Sequence, residues 1–278
     1  MSAKSNTVMD SIKWNYGHQD LFYLPQWQTG SRIDEFHVIY RLAYVSFYVV
    51  TFVTGFCLEV DIPITLQIIY ASCYYTCWHF IMCTVSSVMS LVCVFKEYMK
   101  QRRSNIKDED IIERERSVFC KVQWIAMSIV TDSSIALCVG YFTLVHSRGF
   151  PYFAKTAILH LWVPILVIMD FMICSVPAKL VHGYASLAVA VIYALFTYIY
   201  YVCGGLSIYG DHYLYKILDY KENPGTAVIA LVSCLACMVM GRVVVYLLFL
   251  LRHKIYWRYY VLATNPSEVT RYVYEISK

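Results

Sequence analysis

Residues 226–251 read TAVIALVSCLACMVMGRVVVYLLFLL, with Arg242 as the one charged side chain among them. A helix needs roughly 20 apolar residues to cross about 30 Å of hydrocarbon, and this stretch exceeds that length. A backbone in lipid must satisfy its own hydrogen bonds, and the stretch lacks the alternation of a barrel strand. It therefore predicts a membrane-spanning helix.

The composition of the whole chain agrees with a membrane protein. Hydrophobic residues make up 59% and charged residues 15% of 278 residues, and the mean hydropathy is +0.52. A soluble domain carries roughly 25% charged residues. The 17% of aromatic residues is typical of chains with much surface at a membrane interface. The net charge of +4 is small and scattered, which excludes a nucleic-acid binder. The lipid bilayer is therefore the expected partner, and the sequence identifies no protein partner.

Six apolar stretches predict an all-α, polytopic membrane helix bundle with six transmembrane helices. The predicted spans are Phe36–Leu58, Ile64–Phe95, Val118–His146, Thr156–Val176, Tyr184–Cys203 and Thr226–Leu251. They divide the chain into an N-terminal arm (1–35), a membrane domain (36–251) with a charged loop at 96–117, and a basic tail (252–278).

The basic residues predict the orientation of the bundle. Most of the 23 Lys and Arg residues fall in the arm, the charged loop and the tail if the N-terminus is inside, so both termini are predicted to be cytosolic. Charged residues interrupt the arm, so it does not resemble a cleavable signal. The aromatic residues expected to lie at the interface in the arm are Trp14, Tyr16, Phe22, Tyr23 and Trp27. No address motif chooses between plasma membrane and endoplasmic reticulum.

Common catalytic and cofactor motifs do not occur in the chain. There is no P-loop, GxGxxG, HExxH or GxSxG, so neither a cofactor nor a metal site is predicted. The 11 cysteines lie mostly within the spans, where thiols pack as small hydrophobes.

Four charged side chains fall inside the predicted spans, where ionisable groups are costly and mark functional or structural sites. They are Arg41, Asp132, Asp170 and Arg242. One interpretation is that each arginine pairs with an aspartate across helices and so fixes the packing. The other is that the four line the path of a channel or transporter. We expect Arg41 or Arg242 to pair with Asp132 or Asp170.

Three further polar residues could carry chemistry. Thr76 lies three residues before His79, so both share one helical face, and His160 lies in the fourth predicted span. A threonine hydroxyl becomes a nucleophile when a base lies within about 2.6–3.2 Å, and either histidine could be that base. Alternatively, the histidines are hydrogen-bonded packing residues and the hydroxyl bonds the carbonyl one turn earlier.

The predicted depths of Thr76 and His160 differ. Measured from the span ends, Thr76 lies about 18 Å deep and His160 about 6 Å deep. The two meet only if the fourth helix starts near Pro151, which suits a first helical turn.

An ordered set of short motifs resembles the rolling stone family of multi-pass membrane proteins. The motifs are Trp27-Gln28, Tyr40-Arg41, Tyr75-Thr76-Cys77-Trp78, His160 with Pro164 and Asp170, Pro177–His182, Ile192–Thr197, Gly204-Gly205, Ile217–Tyr220 and Pro224. The resemblance covers about residues 22–250 and is strongest over 177–224. Because the founding fly member is associated with myoblast fusion, the resemblance implies a role in membrane or cell-surface organisation or in cell–cell fusion.

More distantly, the chain is similar to the androgen-induced membrane hydrolases, which cleave fatty acid esters of hydroxy fatty acids with an intramembrane Thr and His. This resemblance implies Thr76 as nucleophile, His160 as base and a fatty acyl lipid as ligand. Two functions therefore stay open, a non-enzymatic role in membrane organisation or fusion and an intramembrane Thr/His hydrolase of lipid esters.

Overall fold

The computed structural model describes residues 22–28, 32–54, 72–103, 118–145, 157–207 and 210–256. Its long elements are α1 (Glu35–Phe52), α2 (Tyr75–Arg103), α3 (Val118–Gly140), α4 (Val163–Ile173), α5 (Gly183–Val202) and α6 (Pro224–Tyr256). A π-helical turn at Tyr141–Val145 continues α3, and another at Ile158–Trp162 precedes α4. Over the described residues the predicted all-α class is confirmed, since the extended contact found there is a single bridge between Pro25 and Cys174.

The predicted count of six spans is wrong for the described residues. Four helical segments there are long and apolar enough to cross a membrane, namely Tyr75–Arg103, Val118–Thr143, Leu180–Val202 and Pro224–Tyr256. α1 is not one of these four, because Glu35, His37 and Arg41 lower the mean hydropathy of its 18 residues. The apolar helical stretch before Cys174 is shorter than a span, because Cys174 takes an extended backbone conformation that ends α4.

The helix ends depart from the predicted boundaries in two places. α2 begins at Tyr75 and continues to Arg103, so the first part of the predicted charged loop is helical, while residues 55–71 and 104–117 lie outside the described residues. α6 continues to Tyr256. Arg252, the first residue of the predicted basic tail, is consequently a fully buried helical residue.

The two ends of the bundle differ in chemistry. At one end, which we name the charged end, the Tyr98 hydroxyl of α2 donates to Glu35 of α1 at 2.9 Å. At the opposite end, the aromatic end, α2 begins against two tyrosine hydroxyls. The backbone N–H of Tyr75 donates to Tyr193 at 2.9 Å and to Tyr215 at 3.2 Å.

The segment 22–28 inserts into the charged end instead of lying on the membrane interface throughout. Phe22 and Tyr23 are buried, and the Phe22 ring packs edge-on against Trp124 of α3. The backbone N–H of Gln26 donates to the Ile173 carbonyl at 2.7 Å. The interfacial placement predicted for the two arm residues Phe22 and Tyr23 is therefore wrong, because Phe22 packs in the core with α3 and α4 and Tyr23 packs with Val38 of α1 and Val94 of α2.

The contact between α3 and α6 depends on a close backbone approach. Gly241 faces Asp132 so closely that a Cβ atom built on the glycine would lie 2.7 Å from the Asp132 carbonyl oxygen. The next residue, Arg242, then reaches the Asp132 carboxylate with its Nη2 atom at 2.7 Å. The ion pair is buried at 5% and 0% side-chain exposure. The ion pair therefore requires a residue without a Cβ atom, glycine, at position 241.

We expect Gly241→Ala to destabilise the bundle, because the added methyl group must push α3 and α6 apart. Overpacking of this kind costs about 1–3 kcal/mol. Gly225→Ala in the same helix is the matched control, since nothing lies within 4 Å of a Cβ atom at that position. Thermal unfolding in detergent, followed by thiol exposure, measures both variants. An unchanged midpoint for Gly241→Ala would contradict the close approach.

Candidate active site

The structure brings Thr76 and His160 together at the aromatic end. Thr76 is the second residue of α2, and His160 lies in the π-helical turn Ile158–Trp162. The Thr76 Oγ1 and His160 Nε2 atoms are 3.2 Å apart, within the reach that a nucleophile and its base require. Such π-helical turns are frequent at functional sites. The predicted start of the fourth helix near Pro151 lies outside the described residues. Thr76 comes close to His160 because α2 begins at Tyr75 and not at Ile64.

The Thr76 hydroxyl differs from the other threonines of its helix and its neighbour. Thr84 donates to the Phe80 carbonyl at 2.9 Å, and Thr131 donates to the Met127 carbonyl at 2.9 Å. These are the bonds to the preceding turn that the sequence also allows for Thr76. At Thr76, the hydroxyl partner found among the described residues is His160.

The carbonyls that Thr76 would bond in the preceding turn already accept other donors. The indole Nε1 of Trp78 donates to the Ser72 carbonyl at 2.6 Å. The Tyr193 hydroxyl donates to the Cys73 carbonyl at 2.9 Å. Because these two carbonyls already accept hydrogen bonds, a bond from the Thr76 hydroxyl to either of them would contribute less. The contact of the hydroxyl with His160 is therefore favoured.

The imidazole of His160 is oriented by an aromatic neighbour. The Tyr141 ring, in the π-helical turn that follows α3, stacks on His160 with 3.9 Å between ring centroids and an angle of 28°. Tyr141 is 6% exposed. The stacked ring limits rotation of the imidazole and covers one of its faces, so Nε2 is kept directed at Thr76.

His79 occupies a different position. Its Nε2 atom lies 3.0 Å from the Ser134 hydroxyl and 3.3 Å from the Val130 carbonyl of α3, and the side chain is 1% exposed. The His79 ring contacts α3 and Cys83, whereas the contact with Thr76 is made by His160. Of the two candidate bases, the geometry therefore selects His160, and His79 connects α2 to α3.

The four charged residues inside the bundle form two pairs. Arg41 Nη1 lies 2.7 Å from Asp170 Oδ1, joining α1 to α4. Arg242 meets Asp132, joining α6 to α3, and the Ser186 hydroxyl of α5 donates to the same Asp132 oxygen at 2.5 Å. Each charge thus has an opposite charge at hydrogen-bond distance, an arrangement that fixes the relative positions of helices.

The sequence did not predict the contacts of two buried polar residues near the Arg41–Asp170 pair. Tyr40 donates to Asp170 at 2.8 Å, and Arg252 donates to the carbonyl of Phe171 in the last turn of α4 and to that of Val176 beyond it. A serine-rich face of α2 is the signal that could have been found, since the spacing of Ser86, Ser87 and Ser90 places them on one side of the helix.

The loop between α5 and α6 completes the aromatic end through Tyr215. Asp219 orders this loop because its Oδ1 atom accepts the backbone N–H of Glu222 at 3.0 Å and of Lys221 at 3.1 Å, and the His212 ring lies 3.0 Å away. These partners, the Glu222 N–H first, lower the pKa of the Asp219 carboxyl. The loop therefore keeps its carboxylate charged at neutral pH.

The described residues contain no group of three or more His, Cys, Asp or Glu side chains that could bind a metal ion. The groups that the arrangement itself brings together are a hydroxyl and an imidazole. A hydroxyl whose proton passes to an adjacent imidazole can attack an acyl carbonyl carbon.

Comparison with known proteins relates the chain to one family. The family model described as protein rolling stone matches residues 4–271. Protein rolling stone of Drosophila melanogaster is 25% identical over 264 residues, which cover 91% of this chain and 90% of the fly protein. No solved structure matches the chain.

Proposed function

The chain belongs to the rolling stone family of multi-pass membrane proteins, and we propose that it is an intramembrane hydrolase of fatty acyl esters. The observation that carries the proposal is the 3.2 Å contact between Thr76 Oγ1 and His160 Nε2. Both residues were candidates from the sequence, and they lie 84 positions apart in the chain.

In the proposed reaction, His160 Nε2 accepts the proton of the Thr76 hydroxyl while Oγ1 attacks the ester carbonyl carbon. The alcohol leaves with the proton that the imidazolium returns, and the acyl group stays on Thr76 as an ester. Water then attacks this ester, the fatty acid leaves, and Oγ1 regains a proton from His160. General base catalysis of this type contributes about 10²–10⁴-fold to the rate.

The position of the pair along α2 favours a lipid ester as substrate. α2 has 29 residues, more than the roughly 20 that the hydrocarbon layer requires. Thr76, as the second residue, therefore lies near the membrane boundary, the depth at which the ester carbonyls of lipids are found. Apolar residues such as Ile81 and Val85 are exposed on the outer face of the same helix, as expected for a helix surrounded by lipid.

We expect a fluorophosphonate probe to label the wild-type protein in membranes and to fail on Thr76→Ala. His160→Gln should lower the labelling rate by at least about 100-fold, because the base is removed. Thr84→Ala is the matched control, since that hydroxyl bonds its own helix, and it should label as the wild type does. Equal labelling of wild type and Thr76→Ala, or of neither, would refute the hydrolase.

The family match favours a second function, in membrane or cell-surface organisation or in cell–cell fusion. The two functions are separable in a two-colour fusion assay between cells expressing wild type or Thr76→Ala. We expect wild type to raise the fraction of double-labelled cells. If Thr76→Ala raises the fraction of double-labelled cells as much as the wild type does, fusion depends on the helix bundle and not on hydrolysis. If the wild type leaves this fraction unchanged, the result counts against the fusion role.

We further propose that the charged end faces the cytosol and that both termini lie on that side, in the plasma membrane or the endoplasmic reticulum. The last turns of α2 support this orientation, because they carry Lys100, Arg102 and Arg103 and basic residues accumulate on the cytosolic side. Epitope tags at either terminus should stain only after permeabilisation. Staining of intact cells would reverse the orientation, and co-staining with organelle markers distinguishes the two membranes.

A further inference from the structure

A small cavity lies inside the bundle between α1, α2, α3 and α4. Its polar lining consists of Tyr44, Cys83, Ser86, Ser87, Thr131 and Asp170. Cys83 lies seven positions after Thr76, which corresponds to about 10 Å along α2. The cavity is thus about two helical turns from the proposed nucleophile, on the side of the charged end.

Two groups of the lining have hydrogen-bonding capacity that the surrounding protein does not use. Tyr40, Arg41 and Cys174 all donate to Oδ1 of Asp170, which leaves Oδ2 to a further donor. Ser86 is 7% exposed, and its hydroxyl makes no hydrogen bond within the described parts of the chain. Buried polar groups of this kind are normally satisfied by protein or by ordered water.

His79 lies between this cavity and the Thr76–His160 pair. Its Nε2 atom is 3.5 Å from Cys83 Sγ and 3.3 Å from the Val130 carbonyl, and both residues line the cavity. Thr76 lies one turn before His79 on the same face of α2. Cys83, His79 and Thr76 therefore lie along one face of α2 between the cavity and the proposed nucleophile.

The two faces of α2 differ in their access to water. Val85 and Val88 are exposed on the outer face, where lipid surrounds the helix. The inner face carries the buried residues Ser86, Ser87 and Ser90. The Ser90 hydroxyl accepts a hydrogen bond from Nε2 of Gln123 in α3 at 2.9 Å. The polar side chains of this part of α2 therefore lie on its inner face, where the cavity is.

We propose that the cavity binds and supplies the water that hydrolyses the acyl-Thr76 intermediate. This inference rests on the proposed hydrolase function and adds the source of its second substrate. The water oxygen attacks the acyl carbonyl carbon, and one water proton passes to His160. The bond between that carbon and Thr76 Oγ1 then breaks, the carboxylic acid leaves, and Oγ1 takes the proton from His160.

The test fills the cavity without touching the reacting residues. Ser86→Leu places a larger apolar side chain in it, and Ser86→Ala removes the hydroxyl without added bulk. Ser46→Leu is the matched control, because Ser46 is exposed on α1. Hydroxyl-radical footprinting by X-ray radiolysis reports water beside Met127 and Tyr44, two residues of the lining, whether or not the protein is catalytic. A chromogenic long-chain fatty acyl ester reports turnover.

We expect Ser86→Leu to reduce oxidation of Met127 and Tyr44 and to lower steady-state turnover about tenfold, while the initial burst of released alcohol persists. Ser86→Ala should show the same changes to a smaller extent, and Ser46→Leu should match the wild type. An unchanged footprint, or loss of burst and turnover together in both Ser86 variants, overturns the water site. A footprint that responds as expected, while ester turnover by the wild type does not depend on Thr76, refutes the hydrolase, and with it the role of the water.

Discussion

The backbone N–H of Tyr75 fixes where α2 begins, because it donates to the hydroxyls of Tyr193 and Tyr215. The first N–H groups of a helix lack partners within the helix, and an unsatisfied group in apolar surroundings costs several kcal/mol. Two tyrosines from α5 and from the loop after it meet this need. They set the depth of the first turn and so place Thr76 opposite His160. The candidate active site depends on this one helix start.

The buried ion pairs then determine how the remaining helices approach that start. Removing one member of a buried pair typically costs about 3–5 kcal/mol, whereas replacing both by apolar residues is often neutral. Such pairs therefore select among packings more than they stabilise any one of them. Asp132 of α3, paired with Arg242 beside the close approach of Gly241, fixes the position of α3. The π-helical turn that continues α3 consequently presents Tyr141 to the His160 ring.

The sequence reveals the apolar cores of the helices and the need of each buried charge for a partner, since both follow from transfer of local groups into lipid. It does not reveal the start of α2, because the capping hydroxyls lie 118 and 140 positions away. The end of α4 is equally non-local, as it depends on the bridge between Cys174 and Pro25. For the same reason the hydropathy pattern predicts more spans than the described residues contain, and it leaves the choice between His79 and His160 open.

The location of Thr76 in the first turn has a physical reason that joins the fold to the chemistry. In a helix interior the carbonyl of the preceding turn lies within reach of a threonine hydroxyl and accepts it beside the backbone N–H, as for Thr84 and Thr131. For a threonine in the first turn, the carbonyls three and four residues earlier lie before the helix. In this protein Trp78 and Tyr193 donate hydrogen bonds to those carbonyls. The Thr76 hydroxyl then contacts an imidazole that belongs to another element. A nucleophilic threonine is thus best placed at a helix start whose carbonyls are already bonded, and the aromatic residues at this end of the bundle supply those bonds.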